Sequence, residues 1–138
     1  MSGRAVRETL VIDEAFRSSF PAGEFRAFDD FVTAPGAVIK HESHSRVTVV
    51  ERPSGVASER AARFAIKEYR HGPIRRLLSL FEVPKGQREF LNLQICRSLG
   101  VPTVEPVAYG VRRGWSGAVR SSFVVTAYVE AAEHLRAR

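Results

Sequence analysis

Arg63-Phe64-Ala65-Ile66-Lys67-Glu68-Tyr69 is the stretch on which the reading of this chain turns. It has the composition of a strand, and alternation puts Ala65 and Lys67 on one face with Phe64 and Ile66 on the other. A lysine beside a small alanine leaves room for a flat ligand. Lys67 is one of only three lysines among 21 basic residues, and Glu89 follows it on a segment that reads as a helix. All three aspartates, Asp13, Asp29 and Asp30, lie before this stretch and none after it.

Working outward, His71-Gly72-Pro73 ends the strand. On the amino-terminal side, Ala37-Val-Ile-Lys-His41 and Arg46-Val-Thr-Val-Val-Glu51 read as two strands joined through Glu42-Ser43-His44-Ser45, so that 37–69 forms a meander. On the other side Ile74, Leu77, Leu78 and Phe81 recur at i, i+3, i+4 and i+7 with Arg75 and Arg76 opposite, which predicts a short amphipathic helix over 73–81. A longer helix is predicted from about Lys85 to Leu99. Phe90, Leu91, Leu93, Ile95, Cys96 and Leu99 give it a broad apolar face, and Gly100 its carboxyl-terminal cap. Two more strands, Val104 to Val111 and Ser122 to Val129, flank the turn-rich 112–117, where Trp115 reads as a surface aromatic. Residues 1–35 read as an extension, with a short strand at Thr9-Leu-Val-Ile12 and Phe25, Phe28, Phe31 and Val32 at helical spacing. The order of elements predicts an α+β layer with five antiparallel strands and one main helix.

Composition narrows the class. At 138 residues and 44% hydrophobic the chain suits a single compact core. No apolar run approaches the roughly 20 residues that span a bilayer, the amino terminus has no hydrophobic signal core, and the single cysteine, Cys96, suits a reducing compartment; the expected location is the cytoplasm. A net charge of +6 with pI near 10.2 favours anionic partners. Arginine outnumbers lysine eighteen to three, and the aromatic-interleaved basic strand face used to stack nucleic-acid bases is missing, so nucleic acid is not the expected partner.

Four stretches together, Phe64-Ala-Ile-Lys67, Arg88-Glu-Phe90, Leu99-Gly-Val-Pro-Thr-Val-Glu-Pro-Val-Ala-Tyr-Gly110 and Phe123-Val-Val-Thr-Ala-Tyr-Val-Glu130, resemble the lipopolysaccharide kinases of the Kdo/WaaP family. The resemblance covers roughly 36–138. It implies a protein-kinase-like small lobe over 36–130, with 131–138 opening a large lobe that this sequence lacks. It implies ATP-dependent phosphorylation of a sugar hydroxyl in the lipopolysaccharide core. Lys67 would hold the α and β phosphates of ATP, Glu89 would orient Lys67, and Ala65 would lie against the base. Thr126 would stand behind the adenine, with the backbone of Ala127 and Val129 bonding its edge. Ser43 and Ser45 occupy the phosphate-loop position, where this chain departs from the usual pattern by having no glycine.

Such a kinase needs an aspartate base and an aspartate with an asparagine on Mg2+. After Lys67 the chain offers only Asn92, in mid-helix. The chain is therefore expected to be a fragment, a truncated reading frame or a half-lobe with a binding role, with no catalytic or metal-binding residue of its own. Three functions stand side by side: the ATP-binding lobe of a sugar kinase, a non-catalytic nucleotide- or partner-binding module, and a small basic nucleic-acid binder. The helix over 73–81 admits peripheral contact with the anionic face of the inner membrane as well as ordinary packing.

Overall fold

The computed structural model describes residues 7–53, 61–72, 80, 82–114 and 117–128. The strands are β1 (Arg7–Ile12), β2 (Ala37–Glu42), β3 (Ser45–Pro53), β4 (Ala61–Arg70), β5 (Pro106–Arg113) and β6 (Val119–Ala127); the helices are α1 (Phe28–Val32) and α2 (Lys85–Ser98). One antiparallel sheet runs in the order β1-β5-β6-β4-β3-β2, giving an α+β architecture with six strands rather than the five expected. The sixth is β1, which pairs with β5 from Arg7↔Arg113 to Ile12↔Ala108. The amino-terminal segment thus belongs to the sheet. The other strands lie within three residues of their expected bounds, whereas 73–79, Phe81, Trp115, Val129 and 130–138 lie outside the described residues.

Each face of the sheet carries its own layer. Phe64, Ile66, Phe123, Val125 and Ala108 face a cluster formed by Phe20, Phe25, Phe28 and Phe31 from the segment between β1 and β2. Phe123 stacks on Phe31 at 4.7 Å and meets Phe28 edge-on at 5.0 Å. Its ring fills the space where Gly110 of β5 has no side chain, so a Cβ there would collide with it. This aromatic layer is the main core, since such rings bury large areas and prefer offset or edge contacts.

Basic residues on the sheet fasten the layer. Arg46 reaches both Glu68 (2.9 Å) and the Val32 carbonyl (2.8 Å) at the end of α1. Arg52 bonds Glu24 (2.8 Å) and lies over the Phe25 ring (4.7 Å). Arg112 bonds Glu8 (3.0 Å) and Asp29 (2.7 Å) and covers Phe28 (4.5 Å), and these carboxylates raise its pKa against the lowering effect of burial. The three aspartates are spent in the same segment. Asp13 caps the short turn at Glu14–Phe16, Asp29 takes Arg112, and Asp30 accepts the Arg26 and Ala27 N–H groups at 2.9 Å, shaping the start of α1.

Candidate functional site

The opposite face of the sheet carries Lys67. In register it stands beside Val47 of β3 and Val124 of β6, and Ala65, two residues back on the same face, stands beside Val49 and Thr126. α2 packs over this face, with Phe90 buried and its ring 5.1 Å from that of Tyr109. Its first turn fits against β6 because Gly86 has no side chain: a Cβ there would come within 2.5 Å of the Phe123 carbonyl oxygen, and the Gly86 N–H donates to Ser122 Oγ at 3.1 Å. Its end is a Schellman turn. Gly100 takes φ +77°, its N–H donates to Arg97 (3.0 Å), and Val101 donates to Cys96 (2.9 Å).

The helix so placed brings Glu89 to Lys67: Nζ lies 3.2 Å from Oε2, with side-chain exposures of 39% and 29%. A half-exposed pair of this kind contributes only about 0–1 kcal/mol, so it does not explain where the helix sits. Its value is directional, because a lysine is a point charge on a flexible stem and a fixed carboxylate restricts where the ammonium points. Tyr69, which the sequence reading passed over, donates its hydroxyl to Glu89 Oε1 at 2.8 Å. Alternation places Tyr69 on the Lys67 face, two residues beyond it, but does not reveal its bond to Glu89. Burial first, and then the hydrogen bond and charge of Glu89, push the Tyr69 phenol far above its ordinary range, so it remains a neutral donor. Lys85 and Arg88 line a shallow hollow beside the same carboxylate, giving this side of the face an excess of positive charge.

The remaining expected site residues fall as follows. Ala65 and Thr126 are both buried and paired in register. The Ala127 N–H is already donated to the Glu105 carbonyl at 3.0 Å. Val129 lies outside the described residues. Ser45 pairs with Tyr69 across β3 and β4, on the Lys67 face, while Ser43 and His44 form the turn between β2 and β3. That turn is a tight hairpin held to β4 by the Arg70 N–H on the His44 carbonyl (2.8 Å). A cleft of about 470 Å³ opens on this face, walled by Ala37, Ile39, Val49, Glu51, Arg63 and Tyr128. Its size falls within the usual range for small-molecule sites. Gly36 lets the chain pass close to β3 at the rim, since a Cβ there would strike the Val49 carbonyl.

No protein-family model, curated protein or solved structure matches this chain. Geometry and chemistry therefore carry the assignment. The described residues contain no group of three or more His, Cys, Asp or Glu side chains able to hold a metal ion. No helix among them is long and apolar enough to cross a membrane.

Gly86→Ala is expected to lift the first turn of α2 from β6, costing about 1–3 kcal/mol and drawing Glu89 away from Lys67. Thermal melting together with the Lys67 side-chain NMR signal checks this. An unchanged Lys67 signal would show that the turn absorbs the methyl without moving the helix.

Proposed function

We propose that this chain is the nucleotide-binding small lobe of a kinase resembling those that phosphorylate a sugar hydroxyl of the lipopolysaccharide core. The observation that carries the reading is the Lys67–Glu89 pair at 3.2 Å, formed by a strand lysine and the helix that follows it in the chain. Support comes also from the three-strand meander β2-β3-β4, from α2 laid on the Lys67 face, and from β6 beside β4 with Thr126 against Ala65. In phosphoryl transfer the moving group carries spread negative charge, and a protein acts mainly by positioning and electrostatics. Lys67 would take the α and β phosphates, while the base would lie in the cleft between Ala37, Val49 and Tyr128, with the Ala127 carbonyl at its edge. The tight β2–β3 hairpin, with its small Ser43 and Ser45, offers less backbone to the phosphates than a glycine loop does.

Asp13, Asp29 and Asp30 are engaged in the segment between β1 and β2 and its contacts with the sheet, so none of the three stands beside Lys67. That same observation favours, as the second reading, a module that binds a nucleotide without turning it over.

Isothermal titration of ATP into the purified 138-residue chain tests the proposal. Weak binding is expected, little helped by Mg2+, with no phosphate released or transferred. Lys67→Ala should weaken it about 10- to 100-fold, the worth of a charge-assisted contact. ATP binding indifferent to Lys67 would reject the assignment, and turnover above background would show that this chain carries its own catalytic groups.

A further inference from the structure

We infer that Tyr69 is a positioning residue: by holding one oxygen of Glu89 it aims the other at Lys67, and so sets the phosphate affinity of the site. This rests on the nucleotide reading of Lys67 given above. The carboxylate of Glu89 is divided between two partners, with Tyr69 Oη on Oε1 at 2.8 Å and Lys67 Nζ on Oε2 at 3.2 Å. The shorter bond comes from the stiffer side chain. A tyrosine has two side-chain torsions, and the Tyr69 ring is flanked by the Lys85 ammonium at 5.8 Å. Lysine has four torsions and keeps three donors that could turn toward water. Glutamate is flexible as well, and with Lys67 as its sole partner it would sample several rotamers at little cost, because a half-exposed ion pair is weakly held. With the hydroxyl in place, Glu89 has one favoured orientation, and the ammonium has a fixed acceptor on its helix side. Its remaining donors are then left for an anionic ligand on this face.

Tyr69 also senses the helix itself. Because β4 supplies both Lys67 and Tyr69 and α2 supplies Glu89, movement of α2 outward breaks both bonds together. Burial and the Glu89 carboxylate both oppose ionisation of the phenol, so near neutral pH it is a neutral donor. The clamp therefore needs no titration to act and should not depend on pH near neutrality.

The test is a double-mutant cycle read by ATP titration of the full chain, with Lys67→Ala as reference and the Lys67 side-chain NMR signal as an independent readout. Three lysines make that signal assignable, and Lys40, which pairs with Glu42 on β2, serves as the control. Tyr69→Phe is expected to weaken ATP about three- to tenfold, and to weaken nothing further in the Glu89→Gln background. Both variants should shift the Lys67 signal and leave Lys40 where it was. If Lys67→Ala weakens ATP and Tyr69→Phe does not, the positioning role is overturned while the nucleotide reading stands. An equal loss from Tyr69→Phe with and without Glu89 would overturn it too, because Tyr69 would then be acting by a contact of its own. If ATP binding is absent or indifferent to Lys67, the nucleotide reading fails, and the NMR signal decides alone: a shift in both variants upholds the aiming of Lys67 by Tyr69, and no shift in Tyr69→Phe ends it.

Discussion

A chain beginning at Pro35 is expected to lose its cooperative thermal transition and to associate, although it keeps β2 to β6, α2 and every residue of the proposed site. The segment removed carries Phe20, Phe25, Phe28 and Phe31, which cover Phe64, Phe123 and Val125. Uncovering roughly 400 Å² of apolar surface costs on the order of 10 kcal/mol at about 25 cal/mol per Å². That is comparable with the whole net stability of a domain of this size. Arg46, Arg52 and Arg112 would lose partners in the same stroke, and the outer edge of β5 would lie open where β1 had paired with it. Light scattering, hydrophobic-dye binding and calorimetry on the shortened chain check this. A monodisperse protein with a sharp melting transition would show instead that the sheet and α2 hold together unaided.

The role of residues 7–34 was the part least legible in the sequence. Alternation within one strand is a local signal, and it placed Ala65 and Lys67 on one face and Phe64 and Ile66 on the other, as observed. The pairing of β1 with β5 joins residues about a hundred positions apart, and nothing local in Thr9-Leu-Val-Ile12 announces which edge it will meet. The spacing at Phe25, Phe28 and Phe31 is helical, and these residues pack on the sheet, but α1 itself is confined to Phe28–Val32. Phe25 reaches the cluster from outside that helix.

The candidate site divides in a similar way. Lys67 and Glu89 come together as strand order and helix order implied, and Thr126 lies against Ala65. Tyr69 was missed because tyrosine in a strand is ordinary, so its hydrogen bond becomes visible only once α2 is placed. Apolar periodicity also overstated how much of α2 is covered. Phe90 is buried against the sheet, whereas Ile95 is 56% and Leu99 74% exposed, because a helix lying flat on a sheet buries one stripe and the apolar residues here extend beyond it.

Phe123→Ala is expected to lower stability by about 3–5 kcal/mol, the range for removing a buried aromatic ring, and to reduce the melting temperature by roughly 10–20 °C. Three neighbours make the loss severe: Phe31 stacked at 4.7 Å, Phe28 edge-on at 5.0 Å, and the bare backbone of Gly110 under the ring. None of the three can collapse far into the hole. Phe31 and Phe28 are held on α1, tied by Arg46 and Arg112, and Gly110 is fixed between β1 and β6. The effect should reach the other face, since the strand that carries Phe123 presents Ser122 to the Gly86 N–H and Val124 to Lys67. Gly110→Ala sharpens the test. On its own it should also destabilise, because its methyl would overlap the Phe123 ring; in the Phe123→Ala background that methyl has space to occupy, and its cost should fall or change sign. Chemical denaturation of the two single variants and the double variant measures the coupling. Strictly additive losses would mean that the ring and the glycine are not packed against one another, and that the aromatic layer is looser than these contacts imply.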